Sequence, residues 1–179
     1  MTRSFVSGPN WFEVLKTDVR ARELADRHYS RQTHGAPGFS PPGQTVVLIT
    51  PDERAVWGSH RPAPWTGLKR ADGFEGHCCF IYRNEGSCSG LSSDLIGEAV
   101  GLTAIKWGIA PFLTYIACDK VQSVNPGYSF KLAGFKHECF IKGKHGKMAK
   151  LVMPARRVFD LGVATLQGGT TIDSLSRSL

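Results

Sequence analysis

The ten residues "DRHYSRQTHG", positions 26–35, gather an unusual number of side chains that can donate, accept, titrate or ligate. Two arginines, two histidines, a tyrosine and a serine lie between an apolar-periodic stretch and a loop rich in proline and glycine. His28 and Tyr29 are neighbours there, and imidazole and phenol groups both exchange protons and bind metal ions. The segment is therefore either a solvated helix end or part of an active site.

A second candidate site is the stretch "HCCFIYRNEGSCSGLSSDLIGEA", positions 77–99, which predicts a strand, a Gly/Ser loop and a helix start. Such a turn offers backbone N–H groups and the positive end of a helix dipole to an anion. An ordinary strand-to-helix turn has the same composition, so both interpretations stay open. The adjacent Cys78 and Cys79 point to opposite faces of a strand, which favours buried thiols over a metal pair.

Composition limits the class of protein. The 179 residues suit one domain with a full core, and no apolar run is long enough to span a membrane. The amino-terminal residues lack a signal peptide, and the five cysteines, odd in number and without a C-x-x-C pair, give no disulfide framework, so we expect a cytoplasmic protein. The net charge of +7 indicates a polyanionic partner or a phosphorylated cofactor, or serves solubility alone.

The pattern along the chain predicts the order β-α-β-β-β-α-β-α-β-β. Apolar β-branched runs predict the strands. The stretch "TDVRARELADRHYS" predicts a helix capped by Thr17 or Asp18. The stretch "SDLIGEAVGLTAIKWG" predicts a second helix, which is capped by Ser92 or Ser93 and ends at Gly108. We therefore expect a mixed α/β (α+β) sheet with helices on both faces. Residues 1–155 would form one catalytic domain, and residues 156–179 a loosely ordered or docked tail.

The stretch "NPGYSFKLAGF", positions 125–135, resembles the closing motif of the GNAT acyltransferases, and the element order is similar to theirs. The resemblance covers about residues 10–155 and implies an acetyl-CoA or related donor with its pyrophosphate in the preceding strand-to-helix turn. The turn's candidate contacts are Arg83, Gly86, Ser87, Gly90, Ser92 and Ser93. Asn125 would contact the cofactor, or cap a helix that begins at Pro126. Tyr128 would act as general acid toward the departing thiolate.

A narrower resemblance joins "RHYSR", "PPG", "FIYRNEG", "TYIACD" and "SVNPGYSFKLAGF". Together these motifs resemble the Mom family of phage DNA-modification proteins, which are divergent GNAT-like proteins. The resemblance implies conversion of adenine in double-stranded DNA to N6-carbamoylmethyladenine, which shields phage DNA from restriction. The product carries a CH₂ group on nitrogen, so simple acetyl transfer does not make it, and an iron ion is the catalyst proposed for the family.

The resemblance implies His28, Tyr29 and Asp119 as iron ligands, since nitrogen and oxygen donors suit iron. Tyr29, Asp119, Ser123 and Tyr128 would be the catalytic side chains. Each has an ordinary alternative: His28 as a helix-end residue, Tyr29 as a packing residue, Asp119 as a turn cap.

DNA would require phosphate contacts and rings that stack on an extruded base. The candidate phosphate contacts are Arg27, Arg31, Arg61, Lys69, Arg70, Lys142, Lys144 and Lys147, and the candidate rings are Phe39, Trp57, Trp65 and Tyr82. Solubility alone would also explain the basic "KGKHGK" hairpin tip. Two other functions stay open, an ordinary acetyl-CoA-dependent N-acetyltransferase and a basic DNA-binding module without catalysis. A homodimer is one of the assemblies that the sequence allows.

Overall fold

The computed structural model describes residues 3–31, 33–63, 67, 69–121, 123–143, 146–169 and 171–175, with Arg3 and residues 171–175 as backbone only. Trp65 and Lys144, named above as DNA contacts, lie outside the described residues. Within the described part, none of the helices is both long enough and apolar enough to cross a membrane.

The fold is one mixed sheet with helices on both faces, as predicted. Its strands are β1 (Arg3–Ser7), β2 (Phe12–Val14), β3 (Gln44–Ile49), β4 (Ala55–Arg61), β5 (His77–Asn84), β6 (Phe112–Ala117), β7 (Lys136–Gly143), β8 (Gly146–Met153) and β9 (Thr171–Leu175). Its helices are α1 (Val19–Asp26), α2 (Ser92–Trp107), α3 (Tyr128–Ala133) and α4 (Ala155–Gln167). The strand order is β7-β8-β6-β5-β4-β3-β2-β1-β9. The β5–β6 pair is parallel, whereas the other described pairs are antiparallel.

The predicted element order is confirmed from β2 to β8. The structure adds β1 before it and α4 and β9 after it, so the segment expected to be a tail contributes regular structure. Val158, Gly162 and Thr165 recur at helical spacing and are buried. A Cβ at Gly101 of α2 would lie 2.8 Å from the Leu161 carbonyl oxygen, so the absence of a side chain lets α4 approach α2 closely.

The helix ends follow the predictions in part. Asp18 caps α1, and its carboxylate accepts the backbone N–H of Arg20 and of Ala21. Gly108 ends α2 as predicted. The predicted caps Ser92 and Ser93 are wrong, because both lie inside the first turn of α2.

Leu91 is the N-cap of α2, and it supplies no side-chain hydrogen bond. Asn125 does not cap α3 either. The N-cap of that helix is Gly127, at a φ of 75° that suits glycine. The Asn125 amide oxygen instead accepts a hydrogen bond from the Lys131 ammonium group.

The core lies on both faces of the sheet. In β3, Val46 and Leu48 pack on one face with α2, while Val47 and Ile49 pack on the other with α1. A strand covered on both faces is apolar throughout, which explains the unbroken run "TVVLI".

Candidate functional site

The two central strands β5 and β6 separate along their length. They pair only where His77–Cys79 faces Phe112–Thr114. Beyond that point β5 continues along β4 to Asn84, whereas β6 continues along β8 to Ala117. The sheet therefore opens into a wedge at the carboxyl ends of its two parallel strands, which is where α/β proteins commonly place their ligands.

A β-bulge shapes one wall of the wedge. Gly58 faces Ile81 and Ser59 faces Cys79, so Phe80 is the extra residue in β5. A Cβ on Gly58 would lie 2.7 Å from both Phe80 Cε1 and Ile81 Cγ2. Two consecutive side chains therefore lie on the same face of the sheet, which regular alternation forbids and a bulge allows.

A cavity of about 380 Å³, here the cleft cavity, occupies the wedge. Its walls come from residues 79–82 of β5 and 114–116 of β6, and its rim from the segments after α1 and around the start of α3. It brings together five of the predicted site residues: His28, Tyr29, Ser123, Asn125 and Tyr128. Among the described residues that line it, none is an aspartate or a glutamate, and many are aromatic.

His28 and Tyr29 follow the end of α1 as a stacked pair. Their ring centroids are 4.2 Å apart. The Ser30 backbone N–H donates to His28 Nδ1 at 3.2 Å, so the neutral ring carries its proton on Nε2. Burial and the nearby Arg83 guanidinium lower the His28 pKa to about 4, which keeps the ring neutral at pH 7.

The Tyr29 side chain reaches across the wedge to β6. Its hydroxyl oxygen lies 3.5 Å from the backbone nitrogen of Ala117, which donates to it. Burial raises the pKa of Tyr29, so the side chain is a neutral phenol near pH 7. The pair therefore presents two uncharged rings to the cavity.

Asp119 is not among the residues that line the cleft cavity with this pair. Asp119 lies in a 3-10 turn after β6, is exposed, and accepts the backbone N–H of Lys147 at 3.1 Å. It is absent from the cavity lining, because β6 continues beside β8 and delivers the carboxylate to the β7–β8 hairpin. Asp119 is thus placed as a turn and hairpin contact.

The structure gives no support to the predicted iron site. Asp119 lies outside the cavity lining. Nδ1 of His28 already accepts a hydrogen bond from Ser30, and the Arg83 guanidinium places a positive charge near the His28 ring. The residues that the structure describes also contain no group of three or more His, Cys, Asp or Glu side chains positioned to hold a metal ion.

The loop between β5 and α2 holds a carboxylate of the chain itself. Asp52, from the β3–β4 turn, accepts the Ser87 hydroxyl at 3.0 Å, the Cys88 backbone N–H at 2.9 Å and the Thr50 hydroxyl at 2.6 Å. These hydrogen bonds hold the Asp52 pKa well below its usual range, against the opposing effect of burial. The Ser87 backbone N–H donates to Asn84. Ser87 and Cys88 therefore have little left to offer a bound diphosphate.

Other predicted cofactor contacts are also engaged. Arg83 donates to Glu85 at 2.6 Å and to the Arg27 carbonyl at 2.6 Å, and the Ser92 hydroxyl accepts from Asn84. The amino end of α2 keeps no side-chain cap, and Gly90 has open space around its α-carbon. The helix end near Gly90 therefore keeps open space, whereas the loop is occupied by Asp52.

Three of the arginines predicted to contact DNA are used within the chain. Arg31 donates hydrogen bonds to Asp26 and to the carbonyls of Ala36 and Gly38. Arg61 donates to Gln44 and to the Trp107 carbonyl. Arg70 donates to Asp72. The structure therefore gives each of these three arginines partners within the chain. Arg27 forms a two-bond ion pair with Glu85 but is half exposed. Lys69, Lys142 and Lys147 are exposed and remain candidates.

The rings predicted to stack on a base differ in where the structure places them. Trp57 is fully buried in the core against Phe112 and Phe130, so it is not available to a base. Tyr82 lines the cleft cavity, and Phe39 lies beside Phe80 at a ring-centroid distance of 6.3 Å. Phe80 and Asp52 were not among the predicted site residues. An isolated glycine within the strand "AVWGSHR" was the available signal for a bulge opposite Gly58.

Comparisons with known proteins show likeness in structure. No model of a known protein family matches the chain, and no curated protein matches it in sequence. A solved spermidine N-acetyltransferase chimera from Vibrio cholerae and hSSAT has 9% identity and a TM-score of 0.54, covering 87% of this chain and 98% of its own.

Two further solved structures resemble the chain to a similar degree. An aminoglycoside acetyltransferase in complex with coenzyme A has 13% identity and a TM-score of 0.55, covering 88% of this chain and 98% of its own. A GnaT-family acetyltransferase from Bordetella pertussis has 12% identity and a TM-score of 0.52, covering 84% of this chain and 99% of its own. The chain therefore has the fold of the GNAT acetyltransferases.

Proposed function

We propose that this protein is a GNAT-fold transferase of the Mom type, which modifies N6 of adenine in DNA to N6-carbamoylmethyladenine. Such a modification would protect phage DNA from restriction inside the host cell. The observation that carries the proposal is the character of the cleft cavity: it is rich in aromatic rings and has no carboxylate among its described lining residues.

The cavity chemistry favours a neutral, flat acceptor. The solved neighbours are named for spermidine and for aminoglycosides, which are polycations. Cations are normally recognised through carboxylates, and a chain with a net charge of +7 repels them. A nucleobase is uncharged, stacks on aromatic rings, and arrives on a polyanion that the chain's charge attracts.

The proposed position of the donor follows from the fold and from the amino end of α2. An acetyl-CoA or related carrier would place its diphosphate at the uncapped amino end of α2 and its reactive end in the wedge. Tyr128 begins α3 at the cavity rim and is half exposed, so its hydroxyl is available to protonate a leaving group. Ser123 and Asn125 line the same wall, and the Ser123 hydroxyl accepts the Asn125 backbone N–H at 3.1 Å.

The acceptor side rests on His28 and Tyr29. With its proton on Nε2, the neutral His28 ring is a hydrogen-bond donor toward an acceptor atom of the base. The transfer itself needs a donor that carries the acetamido group through its methylene carbon, because an acetyl thioester is bonded through its carbonyl carbon and would leave a bare acetyl group on N6. N6 forms a bond to that methylene carbon, the carrier leaves with the electron pair of its own bond to the same carbon, and one N6 proton is released. Adenine therefore gains C₂H₃NO in total. No step requires Asp119, whose carboxylate lies outside the cavity.

An ordinary N-acetyltransferase is the second candidate, because the solved acetyltransferases are covered almost completely by this chain. Nucleoside mass spectrometry separates the two. The protein is produced in a bacterium, plasmid DNA is digested to nucleosides, and deoxyadenosine is examined. A species heavier by C₂H₃NO supports the proposed function. A bare acetyl gain of C₂H₂O supports ordinary acetylation, and unmodified DNA despite folded, DNA-binding protein supports a binding module.

A further inference from the structure

A second cavity of about 700 Å³, here the loop cavity, lies beside the cleft cavity. The polar, Pro/Gly-rich segment that follows α1 covers it. Both cavities are lined by Phe80 and Ile81, the two side chains that the bulge places on one face. The loop cavity therefore opens directly beside the place where a group would be transferred.

His28 and Ser30 join the two cavities. His28 lines the cleft cavity, Ser30 lines the loop cavity, and the Ser30 hydroxyl oxygen lies 2.7 Å from His28 Nδ1. This pair and Phe80 therefore border both cavities.

The loop cavity presents no charge that is free to bind an ion. Arg31 is the charged residue among its described lining residues, and its side chain is only 9% exposed. Its Nε donates to Asp26 at 2.6 Å, and its two terminal nitrogens donate to the carbonyls of Ala36 and Gly38. The other groups that line the loop cavity include hydroxyl groups, proline rings and the rings of Phe39 and Phe80.

The cover of the loop cavity is fixed in place. Asp26 accepts Arg31 through one oxygen and the Gly35 backbone N–H through the other, at 2.8 Å. Phe39 packs on the cluster around α1 and approaches Phe80, with ring centroids 6.3 Å apart and planes tilted by 48°. A segment rich in glycine and proline thus becomes a formed wall instead of a loose loop.

We propose that the loop cavity is the part of the acceptor site that holds the body of one flat, uncharged heteroaromatic base, stacked on Phe39 and Phe80, while the reacting edge of the base enters the neighbouring cleft cavity. Ser30 and His28 lie where they contact the base edge that faces the cleft cavity. Asp26 and Arg31 are positioning residues that hold Phe39 over the subsite. The assignment of the base as adenine rests on the proposed function, whereas the recognition of an uncharged stacked ring does not.

The test uses a single-stranded oligonucleotide with one 2-aminopurine, a fluorescent adenine isomer that has no amino group at C6 and so cannot react there. Stacking on an aromatic ring quenches its fluorescence. The wild-type protein should quench it on binding. Phe39→Leu, which keeps an apolar side chain but removes the ring, should bind roughly ten-fold more weakly, and Phe39→Tyr should bind like wild type.

Phe159→Leu is the matched control, because Phe159 is about half exposed on α4 and lines neither cavity. It should quench like wild type. Absence of quenching by the wild-type protein overturns the subsite, as does equal quenching by the folded Phe39→Leu and Phe159→Leu variants. Circular dichroism shows that each variant is folded.

Plasmid nucleosides from the same variants separate this inference from the proposed function. If wild type quenches through Phe39 but leaves plasmid adenine unmodified, the subsite stands and the proposed function fails. If wild type modifies adenine and Phe39→Leu does so equally well, the proposed function stands and the subsite fails. Loss of the modification in Phe39→Leu together with recovery in Phe39→Tyr supports both.

Discussion

The Ser30 hydroxyl oxygen lies 2.7 Å from Nδ1 of His28, so one short contact spans the boundary between the two cavities. The backbone N–H of Ser30 donates to the same nitrogen, which fixes the imidazole proton on Nε2. A stretch that could have been a solvated helix end therefore forms part of the cavity rim, and Ser30 orients the imidazole ring of its neighbour His28.

Ser30→Ala removes the hydroxyl contact and keeps the backbone hydrogen bond to His28. Because a single neutral hydrogen bond contributes about 0.5–1.5 kcal/mol, we expect the fraction of modified plasmid adenine to fall about two- to ten-fold. Nucleoside mass spectrometry measures this fraction. Ser30→Thr, which retains a hydroxyl, serves as the control, and equal activity of the Ala and Thr variants would contradict the role given to Ser30.

Gly58→Ala should damage the bulge wall. Its new Cβ would lie 2.7 Å from Ile81 Cγ2 and closer still to Cζ of Phe80, so either the strands shift or the two side chains leave their positions. We expect the free energy of unfolding to fall by about 1–3 kcal/mol, as for overpacked cores. Urea denaturation followed by circular dichroism measures it.

Gly162→Ala is the matched control for that substitution. A Cβ at Gly162 would meet its nearest neighbour, Ala104, at an ordinary 3.9 Å, and alanine is the better helix former. The control should leave stability unchanged or raise it by up to about 1 kcal/mol. If Gly58→Ala were as stable as Gly162→Ala, the close packing of Phe80 and Ile81 on Gly58 would be wrong.

Asp52→Asn should destabilise the β5–α2 loop in a pH-dependent way. The carboxylate accepts several hydrogen bonds, and those to a charged group contribute about 1.5–3 kcal/mol each in favourable cases. The Asp52 pKa is lowered in the folded protein, so its stabilisation is complete above the unfolded pKa near 3.8 and is lost as pH falls below it.

The difference in unfolding free energy between wild type and Asp52→Asn should therefore be largest at pH 6–7 and shrink from about pH 4 downward. Urea denaturation at a series of pH values measures it. Asp160→Asn, at an exposed position on α4, is the control. A difference that stays constant between pH 6 and pH 3 would contradict the ionised, loop-bound carboxylate.

Arg31→Lys should loosen the cover of the loop cavity while leaving a positive charge. Lysine cannot reproduce the directed donors to Asp26, Ala36 and Gly38, so the free energy of unfolding should fall by about 1–3 kcal/mol. The Gly35 amide, which donates to Asp26, should exchange its hydrogen faster. Since Arg31 acts by positioning, KM for DNA should rise more than kcat falls. Unchanged Gly35 exchange would contradict this role.

Periodicity and composition predicted the strands and helices from β2 to β8, because an apolar strand or an amphipathic helix is a local pattern. They did not predict α4, whose buried positions include Gly162 and Thr165, residues too small or polar to stand out as a core stripe. The uncapped start at Leu91 was missed for a similar reason, since a serine cap was the better local fit.

The site was predictable where neighbours in sequence form it, as for His28 with Tyr29 and Ser123 with Asn125. The position of Asp119 was not predictable in this way. It depends on β6 continuing beside β8, and the sequence of the strand does not encode that pairing. The arginines differ for another reason. Arg61, for example, donates to the carbonyl of Trp107, 46 residues away in sequence, and this partner becomes close only through the fold.

The most direct test of the account is to fill the cleft cavity and measure modified adenine. Ser129 lies on α3 and lines the cavity, so Ser129→Trp places a large ring in it, while Phe159→Leu changes α4 outside both cavities. The account predicts deoxyadenosine heavier by C₂H₃NO in plasmid from cells with wild type or Phe159→Leu, and at least a ten-fold loss with folded Ser129→Trp. Plasmid adenine without that species in wild-type cells, or equal modification by the folded Ser129→Trp protein, would contradict it.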